Sequence, residues 1–216
     1  IASLIFKEKN WEVEASPYYS FIDNFIYLTP TDIRLTIRGT FPVFSYRQDA
    51  VLMRGIDLTS RYQIGKFYWE SKWAYLKTNL AKDRTPLINM PPLRIENKIA
   101  FRQKEWKGLK NIETYISVLN VARQKNAPRV LNPEVFEAIS PEDKEKILQE
   151  GNFDFMEAPA AYFLLGAGIE TDYKKFRFSV KAENILNIVY RDYLNRWRYY
   201  ANDLGRNFIV QLNYSF

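Results

Sequence analysis

The chain has 216 residues, no Cys, no His, 16% aromatic residues and a formal net charge of +6. Without Cys there is no disulfide frame, thiolate nucleophile or cysteine metal site, and without His the Ser-His-Asp and Cys-His designs and the commonest zinc ligands are excluded. The positive charge is spread along the chain rather than gathered into a nucleic-acid groove, and the longest uncharged apolar stretch, residues 158–169, is too short and too rich in Gly and Pro for a helical membrane span.

The chain starts at Ile1 with neither an initiator Met nor a signal peptide, and residues 1–6 read as a strand, so it is expected to begin inside a fold. Trp11, Val13, Ala15, Pro17, Tyr19 and Phe21 then alternate with Glu12, Glu14, Ser16, Tyr18 and Ser20. Pro17 predicts a bulge, because proline cannot donate to a central ladder. A loop is predicted through residues 30–42, followed by a strand over residues 44–62. There Ala50, Leu52, Ile56 and Leu58 share one face, with Arg54 a misfit among them that calls for snorkelling or a bulge.

The strand from Phe67 carries the clearest pattern. Phe67, Trp69, Trp73 and Tyr75 point one way, and Tyr68, Glu70, Lys72 and Ala74 the other. Bulky rings on one face with charges opposite suit a barrel wall with aromatic girdles. After a Pro-rich loop at residues 82–92, Leu93, Ile95, Ile99 and Phe101 alternate with Arg94, Glu96, Lys98 and Arg102, and Ile112, Thr114, Ile116 and Val118 follow a tight turn.

Residues 123–159 form the longest insertion. Asn132-Pro133 and Ser140-Pro141 each read as an N-cap followed by proline at the first helical position. Asp143 completes an approximate capping box with Ser140, and Gly151 closes the second helix. The expectation is a polar, solvated lid. Two further strands follow, with Phe163, Leu165, Ala167 and Ile169 on one and Phe176, Phe178, Val180 and Ala182 on the other. Gly166-Ala167-Gly168 is no dinucleotide fingerprint, since the third glycine and the helix are missing. The last strand places Phe208, Val210, Leu212, Tyr214 and Phe216 on one face and Asn207, Gln211, Asn213 and Ser215 on the other.

A two-residue period suits either a soluble sandwich or a membrane barrel. The connections separate the two. Short turns (near residues 8–10, 63–66, 107–110 and 172–175) alternate with long loops (near residues 29–41, 80–92, 123–159 and 190–205). An up-and-down meander therefore collects every turn at one end and every loop at the other, as outer-membrane barrels do. Nine strands result, an odd count that does not close alone in the usual bacterial way.

Several runs resemble the C-terminal part of a TonB-dependent outer-membrane receptor. Residues 184–194, NILNIVYRDYL, resemble the family's penultimate-strand pattern, Gly205-Arg206-Asn207-Phe208 its approach to the last strand, and Phe216 its terminal aromatic. Tyr46, Gln48, Ala50, Gly55 and Asp57, and Pro86-Leu87 with Pro91-Pro92-Leu93-Arg94, resemble other recurrent elements, and the Tyr-rich strands resemble receptors from Bacteroidota. The resemblance implies an all-β, transmembrane, antiparallel up-and-down barrel of about 22 strands with a plugged lumen. Residues 1–216 would be its C-terminal portion, with the plug outside this chain. It also implies a Gram-negative outer-membrane location and energised uptake of a scarce ligand such as a ferric siderophore. Implied partners are the rest of the receptor, TonB, the barrel-assembly machinery and lipopolysaccharide. Val210, Leu212, Tyr214 and Phe216 would be the assembly signal.

No catalytic constellation, phosphate loop or metal-spaced cluster is visible, so neither an enzyme nor a cofactor is expected. Glu70, Glu96, Glu113 and Glu183 with Lys72, Lys98 and Lys181 read as a hydrated lumen wall. Candidate ligand contacts are Arg34, Arg38, Tyr46 and Arg47 at one loop, Arg123 at the lid, and Arg196, Trp197, Arg198, Tyr199 and Tyr200 at the last. Arginine pairs carboxylates bidentately and rings stack on planar ligands, which suits an anionic chelate. The alternatives are that these residues hold lipopolysaccharide phosphates or one another. At the level of the whole protein they are a passive porin-like or adhesive barrel, and a soluble β-rich binding domain.

Overall fold

In the computed structural model, residues 2–37 and 39–215 are described; Ile1, Arg38 and Phe216 lie outside them. The strands, in chain order, are β1 (Leu4–Glu8), β2 (Trp11–Thr36), β3 (Gly39–Ile64), β4 (Phe67–Leu80), β5 (Arg94–Trp106) and β6 (Leu109–Val121). The lid contributes β7 (Arg129–Val130), helices α1 (Pro133–Ala138) and α2 (Pro141–Gln149), and β8 (Phe153–Asp154). Then come β9 (Tyr162–Tyr173), β10 (Phe176–Glu183) and β11 (Asn207–Tyr214). Nine of these form one sheet in the order β1-β2-β3-β4-β5-β6-β9-β10-β11, antiparallel throughout, and β7 and β8 make a separate parallel pair. This is the wall of an up-and-down barrel.

Register aligns the apolar faces of all these strands. One row across the sheet runs Trp11, Tyr62, Trp69, Ile99, Ile116, Ala167, Ala182, Phe208. The adjacent row, on the opposite face, runs Lys7, Glu12, Arg61, Glu70, Lys98, Ser117, Gly166. Because side chains alternate between faces, a slip of one residue in any strand would bring these two sets into one row. The second row alternates in charge across five strands. Arg61 Nε lies 2.9 Å from Glu70, whose other oxygen lies 2.8 Å from Lys72 Nζ, and Glu113 pairs with both Lys98 and Arg102. Of the carboxylates and lysines expected on the inner wall, Glu70, Lys72, Lys98 and Glu113 join this network of pairs, and Glu96, Lys181 and Glu183 make no ion pair among the described residues.

Two sequence expectations are corrected, and one pair of alternatives is narrowed. Pro17 causes no bulge, for it pairs with Ile56 in unbroken register. Its carbonyl accepts from the Ala2 N–H, so its missing donor faces the outer edge of the sheet, where β1 has already ended. The loop predicted through residues 30–42 is instead ladder. β2 and β3 are each 26 residues long and stay paired to Thr36 and Gly39, well over twice what crosses a bilayer. Register shifts at Ile22/Phe25 and Pro30/Asp32 interrupt the ladder only locally, the second beside Pro30, and Pro42 pairs with Ile33 in regular register. Arg54 has no bulge beside it. It stays on the apolar face, directly opposite Tyr19 and Lys77, and its long stem allows it to snorkel.

Two glycines serve as floors for tyrosine rings on the inner face. A Cβ at Gly168 would come within 2.6 Å of the Tyr115 ring, its cross-strand partner, and one at Gly55 would lie 2.2 Å from the Tyr75 carbonyl and 2.4 Å from the Tyr18 hydroxyl. Gly168→Ala is therefore expected to cost about 1–3 kcal/mol through overpacking, read as reduced heat resistance of the assembled barrel on gels. Tyr115→Ala in the same chain should recover most of that loss. Additive losses in the double variant would show that ring and glycine are not coupled.

Candidate functional site

At the loop end, four segments meet above the sheet: the β2–β3 extension, the β4–β5 loop, the lid and the β10–β11 loop. The lid is not the solvated excursion that its polarity suggested. Phe136, Phe153 and Phe155 are buried with Ile33 of β2, their rings stacking at 5.3 to 5.5 Å. Its helices start as the sequence predicts. Asn132 caps α1 by accepting from the Glu134 N–H, and the Ser140 hydroxyl accepts from the Asp143 N–H and donates to the Asp143 carboxylate. That hydroxyl, with Lys146 beside it, holds the Asp143 carboxyl below its ordinary range. Gly151 follows α2 at φ 117°, a backbone shape glycine takes without strain. The β4–β5 loop is packed too: Leu87 is buried with Tyr27, Val51 and Leu80.

Arg198 joins three of these segments. Its side chain is 0% exposed and ion-paired with Asp154 of β8, itself 2% exposed. It also donates to Asn89 of the β4–β5 loop and to the Tyr193 carbonyl. The Tyr199 hydroxyl accepts from Arg198 at 2.8 Å and donates to Asp154 at 2.7 Å, while the rings of Tyr193 and Tyr199 lie 4.6 and 4.5 Å from the guanidinium. Burial, reinforced by the negative Asp154, pushes both phenols above their ordinary 10.0.

The sequence candidates divide accordingly. Arg198 and Tyr199 are committed to this internal lock. Arg123 is exposed and pairs at 2.6 Å with Glu157, across the neck of the lid. Arg47 donates to the Leu148 carbonyl at the end of α2. Tyr46, its strand neighbour, projects from the opposite face and is 73% exposed. Arg34, Arg196, Trp197 and Tyr200 remain, all exposed. Arg34 stands cross-strand from Phe41, whose ring packs 5.2 Å from Tyr200, and Tyr200 meets Trp197 edge-on at 6.3 Å. The structure thus brings Arg34, Trp197 and Tyr200 into one patch of cation and rings, with Arg196 next to Trp197 in a short 3-10 turn. Arg38 lies outside the described residues. Val210, Leu212 and Tyr214 sit on the apolar face of β11, paired with Val180, Phe178 and Phe176; Phe216 lies outside the described residues.

Sequence reasoning missed Phe41, Asn89, Asp154 and Tyr193. Asp154 left a trace as a lone carboxylate between Phe153 and Phe155, and Tyr193 lies within the run at residues 184–194. A concavity of about 740 Å³ lies at the turn end, where Lys66, Arg102 and Glu113 line it. It is far along the strands from the patch.

No protein-family model and no curated protein sequence matches the chain. Solved structures do match it. The copper transporter OprC superposes with a TM-score of 0.71 at 17% identity, over 99% of this chain and 30% of that one. The siderophore receptor PirA from Acinetobacter baumannii gives 0.64 at 13%, over 99% and 31%. The FrpB iron transporter from Neisseria meningitidis gives 0.63 at 12%, over 98% and 29%. The fold is that of the barrel wall in these transporters. This chain spans about 30% of their length.

Removing one partner of a buried ion pair costs about 3–5 kcal/mol. Arg198→Ala is therefore expected to open the lid and the β10–β11 loop to proteolysis and hydrogen exchange while the strands stay protected. Arg123→Ala, at an exposed pair, should change these readouts by less than about 1 kcal/mol. Because Tyr193 and Tyr199 titrate higher in the fold than when unfolded, their stabilisation is complete below pH 10.0 and is lost as pH climbs beyond it. Lid protection measured across that range should fall, and a flat profile would contradict the burial of these phenols.

Proposed function

We propose that this chain is the C-terminal portion of the barrel of a TonB-dependent outer-membrane receptor in a Gram-negative bacterium, carrying an extracellular lid at residues 123–159. The full protein imports a scarce ligand, such as a ferric siderophore or another metal chelate, with energy passed through TonB. In this reading the plug, the TonB-contacting segment and further strands belong to the rest of the protein. Val210, Leu212, Tyr214 and Phe216 form the signal taken up by the assembly machinery, and lipopolysaccharide surrounds the loop-side half of the wall.

The observation that carries the reading is the two-faced wall. An apolar row eight strands wide lies back to back with a row of paired charges, all tight turns stand at one end, and packed loops crown the other. A soluble sandwich has no use for Trp69 and Trp73 on its outside. In likeness of fold, the companions are a copper transporter, an iron transporter and a siderophore receptor. The patch of Arg34, Arg196, Trp197, Tyr200 and Phe41 contacts the ligand: guanidinium forks suit its anionic oxygens and the rings its planar portion. Arg47 and Arg123 hold the surrounding loops.

In iron-limited cells carrying the full-length protein, Arg34→Ala with Trp197→Ala should weaken binding of a transported ferric chelate by about tenfold or more, the worth of a charge-assisted hydrogen bond. Uptake should stop when TonB is deleted. Uptake that persists without TonB would make the protein a passive porin, and unchanged binding in the double variant would remove the patch from the reading.

A further inference from the structure

The turn end of the wall has a composition that neither strand pairing nor the transport reading requires. Its four two-residue turns, at positions 9–10, 65–66, 107–108 and 174–175, hold Lys9 and Asn10, Gly65 and Lys66, Lys107 and Gly108, and Lys174 and Lys175. Every turn carries lysine and none carries an acid. Lys9, Lys107 and Lys174 adopt φ of 24°, 49° and 54°, a left-handed shape that Gly or Asn takes more comfortably and that hairpin turns ordinarily give to them. The charge is present although the backbone favours other residues.

These ammonium groups have no ionic partners among the described residues. The strand carboxylates nearby are already paired: Glu12 with Lys7 and Arg61, Glu113 with Lys98 and Arg102, Asp172 with Arg177. Glu8 and Glu105 flank the first and third turns without an ion pair among the described residues. Four of the five ammonium groups lie near rings instead, and Lys66 also donates to the Gln103 amide oxygen at 3.4 Å. Lys66 sits 5.7 Å from the Phe101 ring centre, Lys107 5.1 Å from Trp106, Lys174 5.3 Å from Tyr173 and Lys175 6.0 Å from Tyr214. Phe101, Tyr173 and Tyr214 belong to the apolar face, beside Phe67 and Phe176, and together make an aromatic girdle of the kind found at bilayer interfaces. Cations held just past such a girdle stand at the depth of lipid phosphates.

We propose that the four turns form a lysine collar that binds anionic phospholipid headgroups in the leaflet on the turn side. The ligand chemistry is a phosphodiester without a compensating amine, as in phosphatidylglycerol. The collar rests on the membrane-barrel reading above. It does not depend on what the receptor transports.

The test uses the full-length protein in phosphatidylcholine bilayers, with spin-labelled phosphatidylglycerol and spin-labelled phosphatidylcholine as probes. The readout is the ratio of lipid fractions immobilised on the protein. We expect a ratio above one, falling toward one in about 1 M salt, where screening acts within about 3 Å. A variant with Lys9→Asn, Lys66→Gln, Lys107→Asn, Lys174→Asn and Lys175→Gln should lose the preference at low salt, by about fivefold in local affinity for each lysine removed. Lys174→Asn with Lys175→Gln alone should lose part of it, which keeps the test informative if the larger variant fails to assemble. Arg54→Gln with Lys77→Gln, at the opposite end of the lipid face, should leave it intact. An unchanged ratio in the collar variants, or loss of preference only in the Arg54/Lys77 variant, overturns the collar. Failure of the protein to float with vesicles overturns the membrane barrel itself, and the collar with it.

Discussion

The constraint on which everything else rests is register. A strand that crosses hydrocarbon has no water for its amides, so each must be met by a neighbouring strand. With a two-residue period, the same pairing decides which side chains face outward. In this wall both demands are met at once from β2 to β10: the ladder that satisfies the backbone also lines up Trp69 with Tyr62 and Ile99 on one side, and Glu70 with Arg61 and Lys98 on the other. The charges across the inner face add specificity to this arrangement. A slipped strand would place lysine beside lysine or bury a carboxylate among rings, and either costs more than the pairs themselves contribute.

Above the wall the organising principle changes. Once β2 and β3 rise past the level of the other strands they have each other but no sheet on both sides, and their exposed faces need cover. The lid supplies it with Phe136, Phe153 and Phe155 around Ile33, and the β10–β11 loop supplies it with Tyr199 and Tyr200 against Phe44 and Phe41. Arg198 then ties the lid, the β4–β5 loop and the last loop to a single point. A buried pair of this kind is weak as net stabilisation, yet it tolerates no other arrangement of its partners. The cation and rings left on the surface of this assembly are therefore presented on a packed base rather than on free loops.

The motif that resembles a penultimate strand, residues 184–194, turns out to begin where β10 ends. Asn184 donates to the Ile188 and Leu204 carbonyls and accepts from the Ile188 N–H, while Asn187 accepts from the Arg206 N–H. Its asparagines shape the approach to the last strand, so the pattern visible in the letters is a loop signature set beside a strand.

Strand number, facing, turn placement and the two lid helices were legible in the sequence, because each depends on local chemistry: alternation of apolar and polar residues, proline after an N-cap, small or positive-φ residues at turns. What the letters between residues 29 and 43 hid was the hairpin extension, since the ladder shifts register beside Pro30 and accommodates Pro42 opposite Ile33 without a shift. Equally invisible was the fate of each arginine. Arg34, Arg47, Arg123 and Arg198 are the same side chain, and whether one reaches solvent, a helix end, a surface glutamate or a buried aspartate depends on residues 34 to 101 positions away in the chain or on none at all. Periodicity determined the wall because a strand's faces are fixed by its own two-residue repeat. The site was decided only in three dimensions, because loop packing brings Asp154 to Arg198 and Phe41 to Tyr200 across separations that no local pattern records.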